Sequence, residues 1–160
     1  MADEKDFSDI SIDGDVATWQ LRAEGDIHGT YAGTFKFRCY LTPMQEIAAG
    51  RKRRELLGSN PFAADEHESF MAYALSQLEQ RVISAPPFWT ASIPTSGMAG
   101  DIPDVNVINQ VLNAAGDAQL KYKQEKDKQK KEAIERAKKA AEAFLANKAD
   151  EDEDSDSSEE

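Results

Sequence analysis

The chain has 160 residues, enough for one domain and an appendage. It carries 30 Asp and Glu against 19 Lys and Arg, net −11. That balance argues against a general nucleic-acid binder, whose phosphate contacts need a net basic surface. One cysteine, Cys39, excludes an internal disulfide and fits a reducing cytosol. The opening MADEKDFSD is acidic and lacks the basic–apolar–small order of a signal peptide. No apolar run approaches the roughly 18 residues of a membrane-spanning helix, so a soluble cytoplasmic protein is expected.

Residues 1–15 are polar and acidic and read as a flexible N-terminal arm, with Ile10 and Ile12 touching the domain at most. The first β-like stretch is Thr18-Trp19-Gln20-Leu21-Arg22, where Trp19 and Leu21 share a face. The second runs from Thr34 to Leu41. There Phe35, Phe37, Cys39 and Leu41 alternate against Thr34, Lys36, Arg38 and Tyr40, the pattern of a half-buried strand. Gly25, Gly29 and Gly33 suit turns between them, and Ile27 with Tyr31 can add a short third strand. Such a sheet is marginal alone and needs a helical layer over its apolar face.

Thr42-Pro43-Met44-Gln45 marks a helix start. Thr42 caps, Pro43 suits the first helical position, and Gln45 sits where a capping box returns its hydrogen bond. Gly58 is a natural stop. This predicts a helix over 43–57 with Met44, Ile47, Ala48 and Leu56 inward. A second helix is predicted over 64–84, with Met71, Ala74, Leu75, Leu78 and Val82 as its stripe, ended by Pro86-Pro87. Residues 90–103, rich in Gly, Pro, Ser and Thr, read as a flexible loop. Asp104 can cap a third helix whose stripe is Val105, Ile108, Val111, Leu112 and Ala115.

From Lys121 to Lys148 ten Lys and Arg face five Asp and Glu, net +5. The apolar positions thin to Ala133, Ile134, Ala137, Ala141, Phe144 and Leu145. That is too short a stripe for a stable two-stranded coiled coil. Glu132 with Arg136 and Glu135 with Lys139 instead support a solvated single helix. The last segment, ADEDEDSDSSEE, has eight acids and no base, and is expected to stay disordered. The expected organisation is a flexible arm over 1–15, a folded α+β domain over 16–120, a charged helical arm over 121–148 and a disordered acidic tail over 149–160. The fold class is α+β: a small antiparallel β-element, a helical body, a long charged C-terminal helix, then that tail.

Chemistry-bearing constellations are sparse. His28, His67 and Cys39 are scattered, and His67-Glu68 is not followed by the second histidine of a zincin motif. Cys39 falls on the apolar face of its strand, where a thiol is inert. Gly25, Gly29 and Gly33 do not have the spacing of a phosphate loop. The reading is therefore not an enzyme, with no cofactor and no metal. Arg51-Lys52-Arg53-Arg54 is the one dense basic cluster outside the arm. It suits a helix C-terminus as a solvated end; it could also meet a protein, nucleic acid, or the acidic tail of this or another copy. Phe88 and Trp89, after the rigid Pro86-Pro87 break, either cap the core or anchor a partner. The candidate partner-binding set is thus Phe88, Trp89, Arg51, Lys52, Arg53 and Arg54. The partner's groove is expected between the second and third helices, with the 90–103 loop free to open or close over it.

The stretch GTFKFRCYLTPMQEIAAGRKRRELLG followed by AYALSQLEQRVISAPPFW, in a small acidic protein with a β-element, a helical body and a charged C-terminus, resembles the tail assembly chaperones of long-tailed bacteriophages. The resemblance is architectural and covers roughly residues 18–120. That family carries no invariant catalytic or binding motif to transfer. The resemblance implies binding to the tape measure protein, delivery of tail tube subunits, no enzymatic activity and a place in the host cytoplasm. The heavily charged 121–160 region departs from it. Two other readings stand beside it: a structural subunit of the phage particle, in the tail or head-neck region, and an acidic-tailed chaperone of a basic protein.

Overall fold

A computed structural model describes residues 7–91 and 102–154, with side chains over 7–89 and 102–148. The fold is α+β. Strands β1 (Ile10–Asp13), β2 (Val16–Glu24), β3 (Thr30–Arg38) and β4 (Val82–Ser84) form one antiparallel sheet in that order. Helices α1 (Pro43–Leu57) and α2 (Glu66–Arg81) lie between β3 and β4, joined through a 3₁₀ turn at Pro61–Ala63. A short helix α3 (Pro87–Ala91) and the long α4 (Val105–Asp154) follow.

The hairpin register explains the sheet. Ile10 pairs with Trp19, which pairs with Phe35; Ala17 pairs with Phe37 and Leu21 with Gly33. Paired residues share a face, so alternation in β2 and β3 collects Ala17, Leu21, Ala23, Phe35 and Phe37 on one buried side. Over them pack Ala74 and Leu78 of α2, Trp89 of α3, and Val107, Ile108, Val111, Ala114, Ala115 and Ala118 of α4. The rings of Phe35 and Phe37 are stacked at 5.8 Å. Cys39 is fully buried beside them, as its place on the apolar face requires.

Several expectations change. Residues 10–13, placed in the loose arm, form β1, and Ile10 is a core residue. The cause is a two-residue hairpin at Gly14-Asp15, with Gly14 at φ +63°, a conformation glycine adopts without steric cost. Trp19 Nε1 donates to Asp9 Oδ2 at 2.9 Å, and Lys121 Nζ donates to the carbonyls of Phe7 and Ile10, so both neighbours tie the strand down. Ile27 is in the β2–β3 loop and exposed, not in a strand of its own with Tyr31; Tyr31 belongs to β3. The second helix begins at Glu66 under the capping box of Asp65 and Glu68 and stops at Arg81. Val82 to Ser84, read as its last turn, pairs with β3 instead. Of the expected core, Leu21, Phe35, Phe37 and Leu78 are buried, and Trp19, Leu75 and Val82 pack against them half-buried. Leu41 is half-buried and outside the cluster, and Ile47 is exposed.

Gly33 lies against the chain that follows β4. A Cβ built there would run into the ring of Pro86, and the residue's φ is +157°. Gly33→Ala is therefore expected to lower stability by about 1–3 kcal/mol, the range for overpacking. A urea midpoint equal to that of the parent would refute this reading.

The chain divides into two compact units, the first ending at Tyr122 and the second beginning at Lys123. In the second unit α4 runs on past Lys148, where the arm was expected to end, and reaches Asp154. The helix thus takes in the first residues of the expected acidic tail, and residues 155–160 lie outside the described residues. Alanine, lysine and glutamate favour this helix intrinsically. Both expected pairs form within it: Glu132 with Arg136 at 3.9 Å and Glu135 with Lys139 at 3.1 Å. Among the described residues no helix is long and apolar enough to cross a membrane.

Candidate protein-docking surface

Helix α1 follows its local signals closely. Thr42 Oγ1 accepts from the Gln45 amide, the Gln45 side chain accepts from the Thr42 amide, and Gly58 closes the helix at φ +73°. For Met44 and Ile47 its orientation is the opposite of the expected one, whereas Ala48 is half-buried and Leu56 lies on the side of α2. The buried residue of α1 is Ala49, whereas Met44 is 70% exposed and Ile47 and Leu56 are also exposed. Residues 44, 47, 51 and 54 recur at helical spacing and occupy one face. An inward Met44 and Ile47 would have carried Arg51 and Arg54 inward with them, at the desolvation cost of two guanidinium charges. The four residues therefore form one outer stripe, apolar at its start and basic at its end.

The other side of α1 packs along α2. Between them and the 3₁₀ turn is a cavity of about 440 Å³ lined by Leu56, Leu57, Ala63, Ala64, Met71 and Leu75, with Glu68 among the polar lining. Phe62, in the same turn as Ala63, is 98% exposed. Phe70 and Tyr73 of α2 are exposed too. Large apolar side chains exposed on this helical hairpin make it the candidate docking surface.

The four basic residues have different environments. Lys52 Nζ pairs with Glu55 at 3.3 Å. The Arg53 guanidinium lies 5.8 Å from the centre of the Tyr73 ring, a cation–π contact. Arg51 and Arg54 are exposed and meet no carboxylate at ion-pair distance among the described residues. At the end of α2, Arg81 is buried and its Nε donates to Gln77 at 3.3 Å. Burial pushes its pKa down, and the nearby Tyr73 and Glu46 oppose that only in part.

The expected aromatic anchor is not part of this surface. Trp89 is 1% exposed and meets Phe35 edge to face at 5.1 Å. Phe88 is half-buried against Tyr31 and Phe35. The Pro86-Pro87 break delivers both rings to the sheet, so they complete the core rather than anchor a partner. The cavity lies between α1 and α2, not between α2 and the helix after Asp104. The loop expected to cover a groove falls mostly on residues 92–101, outside the described residues. Met44, Ile47 and Phe62 were missed as surface residues although the spacing of Arg51 and Arg54 signalled the first two.

His28 and His67 are exposed, and the described residues contain no cluster of His, Cys, Asp or Glu able to hold a metal ion. No protein-family model, curated protein or solved structure matches this chain.

Proposed function

We propose that this protein is a non-enzymatic binding factor, a tail assembly chaperone of the kind made by long-tailed bacteriophages. In this reading it works in the host cytoplasm, holds the tape measure protein and helps deliver tail tube subunits. The observation that supports it is the apolar surface of the α1–α2 hairpin: Met44 and Ile47 exposed on the outer face of α1, Phe62 exposed on the turn, and a cavity of about 440 Å³ on the other side of α1, lined by Leu56, Leu57, Met71 and Leu75. A chaperone for an elongated helical protein needs such a surface, because partner helices are captured by apolar anchors at i, i+3, i+4 and i+7. An assembly factor also needs no catalytic set.

Co-expression with the tape measure protein, followed by affinity purification, tests the reading. The wild-type chain is expected to capture that protein. Phe62→Ala removes an exposed ring without touching the core, so its fold should persist by circular dichroism. Its affinity is expected to fall about thirtyfold, corresponding to about 2 kcal/mol for a lost anchor. If the wild type captures nothing and mass spectrometry finds the protein in purified particles, it is a structural subunit instead.

A further inference from the structure

We infer that the outer face of α1 takes an acidic amphipathic helix, one that places apolar anchors against Met44 and Ile47 and carboxylates against Arg51 and Arg54. The inference rests on the proposal that this hairpin holds a partner, and it specifies that partner's chemistry. From Met44 to Arg54 the stripe extends about 15 Å at 1.5 Å per residue, nearly three turns of a helix laid beside it. A partner running alongside presents side chains at the same spacing, so apolar anchors over the first turn put its next two turns opposite the arginines.

Charge selects among partners. Among the described residues Lys52 is the one of the four with a carboxylate partner, and Arg51 and Arg54 offer guanidinium forks that no described carboxylate engages. A guanidinium binds a carboxylate through two parallel hydrogen bonds, so these positions favour Asp or Glu over a neutral side chain. The chain as a whole is −11, so its far field repels an acidic partner. Exposed charges are screened beyond about 8 Å at physiological salt, and at contact the local arginines dominate. An acidic segment without apolar anchors would gain too little to remain. A basic segment would be drawn by the far field and rejected at Arg51 and Arg54. Nucleic acid also carries negative charge, but its phosphate backbone offers no apolar anchor to the exposed Met44 and Ile47.

The test uses the full-length protein and four probes: a 20-residue helical peptide with leucines at i, i+3, i+7 and i+10 flanked by glutamates, the same peptide with lysines for glutamates, an oligo-dT of 20 nucleotides, and a peptide of residues 133–160 of this chain. Fluorescence anisotropy is read at two salt concentrations. The glutamate peptide is expected to bind at least tenfold more tightly than the lysine peptide, and more weakly as salt rises. Arg51→Glu with Arg54→Glu is expected to reverse that order, with an unchanged melting curve because both residues are exposed. Equal binding of the two peptides, an order unaltered by the charge reversal, tighter binding of oligo-dT, or binding of the 133–160 peptide alone each overturns the inference. The last would make the occupant a second copy of this chain. Capture of the tape measure protein by wild type and the double variant alike leaves the chaperone reading standing and removes this one. Failure of both to capture it removes the chaperone reading, while the peptide preference still decides the partner's chemistry.

Discussion

Replacing Trp89 by alanine is expected to lower the unfolding free energy by about 3–5 kcal/mol, the range for emptying a core site of a large aromatic. Small domains have only about 5–15 kcal/mol in total, so much of the population would unfold under mild stress. Trp89 is among the largest fully buried side chains, and its ring stands at 87° to Phe35 in an edge-to-face contact. Its amide donates to the Pro86 carbonyl at 3.0 Å, which fixes the entry of α3 beneath the sheet. Removing the ring therefore leaves a void bordered by sheet and helix, where rigid prolines restrict collapse. Urea denaturation followed by circular dichroism is the check. A midpoint equal to the parent's would place Trp89 outside the core. Phe88→Ala should cost clearly less, because that ring is half-buried. The distinction matters for function: a Trp89→Ala chain that fails to capture a partner reports lost folding, whereas Phe62→Ala reports lost contact.

What could be read from the sequence was local. The capping box of Thr42 and Gln45 and the stop at Gly58 involve residues within a turn of one another, and α1 has the boundaries they specify. The alternation from Phe35 to Cys39 likewise fixed a buried face without reference to any partner strand. Features set by distant pairing were misread. Val82 continues the i+4 stripe from Leu78, so it looks helical until β3 is seen pairing with it. Ile10 and Ile12 are too few to declare a strand, and the Asp13-Gly14 turn signal lies amid acidic residues. Met44 and Ile47 look inward by apolar spacing alone, but Arg51 and Arg54 recur at the same spacing and keep that face in water. Asp104 was read for its place before a helix, and its long-range task is absent from any local pattern.

Asp104→Ala is expected to loosen the β2–β3 loop and the start of α4 together, lowering the melting temperature by about 5 °C or more. Asp104 is buried, and its carboxylate accepts from the Ile27 amide at 2.6 Å, the His28 amide at 3.0 Å and the Tyr31 hydroxyl at 2.7 Å. Its backbone carbonyl accepts from the Val107 amide at 3.0 Å, so one residue joins the loop to the helix. Gly25 leaves room for it: a Cβ there would press on Asp104 Oδ2. Alanine would leave these donors without their acceptor, the costly half of losing a hydrogen bond. The carboxylate also has a signature in pH. Burial pushes its pKa up, but the Tyr31 hydroxyl and the amides of Ile27, His28 and Asp26 pull it down further, so it ends below the ordinary carboxylate value. A depressed native pKa means that its contribution is complete above the unfolded pKa, about 3.9, and is lost as pH falls through the native one. The melting-temperature gap between wild type and Asp104→Asn should then be constant at pH 5–8 and shrink in acid below about pH 4. The other carboxylates are common to both chains, so their effects largely cancel in the difference. A gap that persists unchanged in strong acid would mean the buried group acts by its shape and not by its charge.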